Sequence, residues 1–123
     1  MSRPLISVVD DDHSVRESLA RLIRSVGYGV RVFGSAEEFL DVGLEFKTDC
    51  VILDIRMPGM SGLELQRELS SSNRKLPLIF ITAHGSDADV RASALRAGAV
   101  DYLLKPLREE EVLEAIDTAL NSR

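Results

Sequence analysis

The sequence predicts a single α/β domain, a three-layer sandwich in which a five-stranded parallel sheet of order 2-1-3-4-5 lies between layers formed by five helices. Two observations carry this. Five short apolar runs alternate without exception with five amphipathic stretches, and right-handed crossovers then place helices on both faces of the sheet. Three of the runs are nearly continuous in Leu, Ile and Val, as strands covered on both faces must be. The length agrees: 123 residues suit one domain, and a 45% hydrophobic content is enough to build its core.

In chain order the strands are expected at Leu5–Val9, Gly29–Phe33, Cys50–Leu53, Pro77–Ile81 and Asp101–Leu104. The second alternates Val30, Arg31, Val32, which suits a sheet edge. Between the first two, Val15, Leu19, Leu22, Ile23 and Val26 recur at helical spacing and Gly27 ends the pattern. Ser35-Ala36-Glu37-Glu38 and Ser61-Gly62-Leu63-Glu64 are capping-box patterns that open the next two helices. Ser70–Lys75 reads as a polar loop. A helix over about 87–97 stops at Gly98, and Val112, Leu113, Ile116, Ala119 and Leu120 stripe the last one. The connections are short, and the strand order is the flavodoxin-like arrangement.

Composition excludes several classes. A net charge of −5 is the wrong sign for gripping nucleic acid, which needs a basic surface to displace counterions. No apolar run approaches the roughly 20 residues that span a bilayer, and the N-terminal stretch lacks a signal-peptide pattern, so no membrane partner is expected. One cysteine, Cys50, cannot form an internal disulfide and reads as a small buried hydrophobe; a cytoplasmic location is the expectation.

The residues at the strand ends are the informative ones. Asp10-Asp11-Asp12 come directly after the first strand, Asp54 ends the third, Thr82 the fourth and Lys105 the fifth. Open α/β sheets bind ligands outside the carboxyl ends of their strands, at the switch in strand order between strands 1 and 3. Carboxylates from those two strands should therefore converge, flanked by Thr82 and Lys105. Clustered carboxylates repel and call for a counter-charge. A hard divalent cation with oxygen ligands and waters, Mg²⁺, supplies it, and Zn²⁺ is disfavoured for want of a Cys/His cluster. Lys105 adds a second positive charge and Thr82 a hydroxyl donor, which makes a pocket for an anion beside a carboxylate. That combination suits phosphoryl transfer to an aspartate. Taken singly, each residue has an ordinary reading: turn aspartates, a loop lysine, a β-branched strand residue. Asp12 reads as the N-cap of the first helix, with an outer-sphere metal role as the alternative, and His13 as an exposed residue at that helix start. Glu109-Glu110-Glu111 reads as a solvated face that suits a helix N-terminus.

Val9-Asp10-Asp11-Asp12, the stretch from Asp54 through Met57-Pro58-Gly59 to Gly62, Ile81-Thr82-Ala83, and Lys105-Pro106 together resemble the signature of the response-regulator receiver domains of two-component signalling, CheY-like in fold. The match spans essentially the whole chain, 1–123 being one receiver. Thr82-Ala83-His84-Gly85 and Ala97–Asp101 are most similar to the NarL/FixJ branch. The resemblance implies that Asp54 accepts phosphoryl from a histidine kinase, and that Asp11 and Asp54 ligate Mg²⁺ directly. Asp10 then acts largely through water, and the backbone carbonyl of Arg56 completes the protein ligands. It implies that Lys105 pairs with the phosphoryl oxygens, that Thr82 bonds one of them, and that the Lys105–Pro106 bond is cis. Tyr102 matches the switch aromatic, an edge-strand aromatic being its plainer reading. Arg56 and His84 match positions that tune phosphoryl lifetime. Further implications are a homodimer through helix 4, strand 5 and helix 5, and a transcriptional effector domain outside this chain, a stand-alone regulator being the alternative. The product is a conformational signal, so a turnover enzyme is not expected.

Three rivals share parts of this pattern. An FMN carrier of the same fold would want a Ser/Thr/Gly-rich phosphate loop where three aspartates stand. A hydrolase of the haloacid dehalogenase type would want an acid two residues after Asp54, where Arg56 stands. A pseudo-receiver that never takes phosphoryl should lack one of the acidic, Thr or Lys positions, and none is missing.

Overall fold

The structure is a computed structural model describing residues 3–83 and 88–122. Five strands, β1 (Leu5–Val9), β2 (Gly29–Phe33), β3 (Cys50–Asp54), β4 (Leu78–Thr82) and β5 (Asp101–Leu104), pair in the order β2-β1-β3-β4-β5. All four pairings are parallel, with Val9 opposite both Phe33 and Leu53 and Asp54 opposite Ile81. The helices are α1 (His13–Ser25), α2 (Ala36–Val42), α3 (Gly62–Ser71), α4 (Ala88–Arg96) and α5 (Glu109–Asn121), with a short 3₁₀ turn at Gly43–Glu45. Fold class and strand order are those expected. The strands differ from expectation by one residue at the ends of β3 and β4, and the polar loop begins later because α3 continues through Ser71. His84 and Gly85 lie outside the described residues.

The two-residue period of the strands sorts the core into two layers. Ile6, Val8, Ile52, Ile79, Ile81 and Leu103 meet Leu19 and Ile23 of α1 and Val112, Ile116 and Ala119 of α5. Val9, Val51, Leu53, Phe80 and Tyr102 face the other way, onto Phe39 of α2, Leu65 and Leu69 of α3 and Ala94 of α4. Each large side chain so buried stabilises the fold by about 2 kcal/mol, before the entropy of ordering it is subtracted. Strands β1, β3 and β4 have to be apolar on both faces because each face feeds a separate layer. Cys50 belongs to the first layer, and burial with the nearby Asp49 charge pushes its thiol up to about 12, so it packs as a hydrophobe.

Caps fix where the helices begin. Asp12 accepts from the backbone N–H groups of Ser14 (2.9 Å) and Val15 (3.4 Å), as expected of the α1 N-cap. Ser61 and Glu64 form the full reciprocal box at α3, and the Ser61 backbone N–H holds the Glu64 carboxyl below its ordinary value. At α2 only half of the expected box forms: Ser35 accepts from Glu38 N (3.0 Å), and no reciprocal bond from Glu38 is present among the described residues. Glu37 next to it crosses instead to the β3–α3 loop, accepting from Met60 N at 2.9 Å. Helix α5 has no side-chain cap, and its first-turn acids Glu109, Glu110 and Glu111 complement the helix dipole.

One glycine is demanded by close approach. Gly62 opens α3 directly against the end of β3, donating to Ile55 O at 2.8 Å, and a methyl group there would collide with the Asp54 carbonyl oxygen. Gly62→Ala should therefore destabilise the protein by about 1–3 kcal/mol, because backbone cannot rotate away as a side chain can. Denaturant unfolding measures this, and an unchanged midpoint would contradict it.

Candidate functional site

The carboxyl ends of β1 and β3 bring the predicted acids together. One carboxylate oxygen from each of Asp10, Asp11 and Asp54 lies within 4.8 Å of the others. Asp10 is fully buried and Asp54 nearly so, while Asp11 is exposed and opens the cluster to solvent. Lys105, just past β5, reaches in with Nζ 2.9 Å from Asp10 Oδ2 and 3.6 Å from Asp54 Oδ2. Its backbone N–H donates to Thr82 O at 2.8 Å, which registers the end of β5 against that of β4, and the Lys105–Pro106 bond is cis.

Asp10 is anchored by three hydrogen bonds and an ion pair. Its N–H donates to Phe33 O (3.1 Å), its Oδ1 accepts from Asp12 N (2.9 Å), and its Oδ2 faces Lys105. Its carbonyl oxygen accepts from Arg16 Nη1 at 2.8 Å. Sequence reasoning missed Arg16. A signal existed: a cation one turn inside a helix N-terminus opposes the macrodipole and needs a local reason.

The electrostatics are those of an incompletely compensated site. Burial, then the Asp10 charge, then Asp11, push the Asp54 carboxyl up from 3.8 to about 6, against the opposing pull of Lys105 and the Ile55 N–H. Lys105 is raised above its ordinary value: burial is the largest single influence and lowers it, but the bond to Asp10 and the charges of Asp54 and Asp10 together outweigh it. One ammonium against three carboxylates leaves net negative charge, which a small hard cation fits.

Of the remaining predicted residues, Thr82 is buried at the end of β4, on the same sheet face as Phe80. Tyr102 lies on edge strand β5, paired in register with Phe80, and is buried in the layer under α4. Arg56 is exposed in the loop after β3, and His13 is exposed and lies 3.3 Å from Glu17. The concavity at the other end of the sheet, about 620 Å³ and lined by Arg74, Lys75 and Pro77 among others, is far from this cluster.

A doubly wound parallel sheet with an acidic cluster and a lysine at its switch point defines a class of signalling module. The chain belongs to the response regulator receiver domain family, whose model matches residues 6–117. It is 50% identical over 117 residues to the response regulator protein TmoT of Ectopseudomonas mendocina, covering 94% of this chain and 52% of that one. It is 41% identical over 115 residues to the transcriptional regulatory protein FixJ of Azorhizobium caulinodans, covering 94% and 54%. The crystal structure of FixJ-N superposes with a TM-score of 0.88 at 38% identity, covering 98% of this chain and 96% of that one. The FixJ-like character expected from the sequence agrees with these matches. The chain spans about half the length of the curated relatives. Phosphorylation by a kinase is the general function of such receivers. Among the described residues no helix is long and apolar enough to cross a membrane.

Proposed function

We propose that this chain is a phosphorylation-driven switch in which Asp54 takes a phosphoryl group from the phosphohistidine of a histidine kinase. The observation that carries this is the convergence of Asp10, Asp11 and Asp54 within 4.8 Å, with the Lys105 ammonium against two of them. An Asp54 carboxylate oxygen attacks phosphorus, the P–N bond to the kinase imidazole breaks, and that ring nitrogen leaves with the electron pair. Asp11 and Asp54 would hold Mg²⁺ directly, Asp10 through water, and the Arg56 carbonyl would complete the protein's ligands. Bound there, Mg²⁺ supplies charge neutralisation to the phosphoryl oxygens. Lys105 neutralises a further oxygen, and the Thr82 hydroxyl donates to another once the group has arrived.

The phosphoryl adds roughly −1.5 to −2 charge at one end of the sheet. It stabilises the conformation in which Thr82 and Lys105 close on it, and Tyr102, in the layer beneath α4, moves with Thr82. The face of α4, β5 and α5 then changes. Leu104, 51% exposed on edge strand β5, supports a homodimer contact there. Residues 1–123 form one receiver whose effector domain, a regulator of transcription, lies outside this chain; the relatives' greater length supports this. The negative net charge supports a domain that touches no nucleic acid itself. In this reading it works in the cytoplasm, and its product is a conformational signal rather than a turnover reaction.

Incubation with acetyl phosphate and Mg²⁺ followed by intact mass tests the reading. One phosphoryl should be gained, and chelator or Asp54→Asn should abolish the gain. A modification that persists in Asp54→Asn would remove Asp54 as the acceptor, and no modification at all would favour the pseudo-receiver.

A further inference from the structure

We infer that Arg16 is a positioning residue for the metal site: its guanidinium fixes the β1–α1 turn so that Asp10 and Asp11 face Asp54 across one cation. The inference rests on the Mg²⁺ reading above and adds a residue outside the acidic signature. Arg16 Nη1 donates to the carbonyl oxygen of Asp10 at 2.8 Å, while Nη2 lies 3.4 Å from His13 Nδ1, so the planar fork spans from the strand end to the first residue of α1. The same guanidinium lies beside Gly34, where a methyl group would meet Nη1 at 3.6 Å, and so reaches the turn just past β2. The side chain is half-buried, and the contact is made to the backbone of a fully buried acid.

The placement is electrostatically odd unless geometry is its purpose. Arg16 sits in the first turns of α1, where the dipole disfavours a cation, and its charge near the acidic cluster opposes binding of a second cation. A residue retained only for charge would weaken the site. A fork holding the Asp10 carbonyl instead limits how far the turn can spread when the repelling carboxylates have no ion between them. Partners that orient the ligands of a metal typically change its affinity by 10–100-fold when removed. Lysine keeps the charge but offers a shorter point donor in place of the fork.

The test is Mg²⁺ binding by isothermal calorimetry on the whole chain, for the wild type, Arg16→Lys and Arg16→Gln, with metal-free melting recorded alongside. Both variants should bind Mg²⁺ about 10-fold more weakly, and the melting temperature of Arg16→Lys should stay within a few degrees of wild type. If Arg16→Gln does not fold, Arg16→Lys decides alone. Wild-type affinity in Arg16→Lys, or tighter binding in Arg16→Gln, would overturn the positioning role while leaving the metal site intact. A wild type that binds no Mg²⁺ would overturn the metal reading itself, and the inference with it.

Discussion

Asp54→Asn, free of metal, should melt several degrees higher than the wild type at pH 7, and this advantage should vanish as the pH falls towards 4. The folded carboxyl titrates at about 6 against 3.8 unfolded, chiefly because it is buried and beside Asp10. A raised folded value means the native state binds the proton more tightly. Below about 3.8 both states are protonated and no difference exists; between 3.8 and 6 the wild type loses stability as the pH rises; above 6 the loss is complete. About 2 units at 1.36 kcal/mol per unit sets the scale at roughly 2–3 kcal/mol, of which asparagine should recover about half because its amide loses the pairing with Lys105. Mg²⁺ should reverse the order, raising the wild type more than the variant. Thermal melts from pH 4 to 8, with and without Mg²⁺, measure this. A variant less stable than wild type at pH 7 without metal would refute the account of a site held under repulsion.

Lys105→Met should act in the opposite direction and more strongly. It leaves Asp10, which has no exposed surface, without the ammonium at 2.9 Å, and strips Asp54 of the cation at 3.6 Å. Removing one partner of a buried ion pair typically costs 3–5 kcal/mol, because the other charge stays buried and uncompensated. A loss of about 3 kcal/mol at pH 7 is expected, shrinking as acid protonates Asp54, which titrates at about 6 with Lys105 present, and shrinking also with Mg²⁺, which can stand in for part of the lost charge. Phosphoryl uptake should slow by about 10²-fold even with saturating Mg²⁺, since one stabiliser of the developing charge is gone. Denaturant unfolding and the rate of mass gain from acetyl phosphate read the two effects separately. A variant as stable as wild type would mean that the Asp10–Lys105 contact contributes nothing net.

The sequence by itself determined the layer plan. Runs such as Val51-Ile52-Leu53 and Ile79-Phe80-Ile81 are apolar at every position because each sheet face meets its own helices. Their shortness and their regular alternation with amphipathic stretches mark them as strands. It also determined which residues meet, because the ends of parallel strands are brought to one edge of the sheet whatever the details between them; Asp10, Asp11, Asp54 and Lys105 needed only the strand order. Tertiary structure decided what local pattern leaves open. Glu37 and Glu38 are equivalent as far as a capping motif can tell, yet Glu37 crosses 23 residues to Met60 and the box at Ser35 stays half made. Arg16 carries no motif, and its bond to the Asp10 carbonyl depends on where the connection between β1 and α1 places that oxygen. The physical reason is common to both: strand and helix periodicity is fixed by backbone geometry and is written along the chain. The partner chosen by one long polar side chain depends instead on where distant loops come to rest.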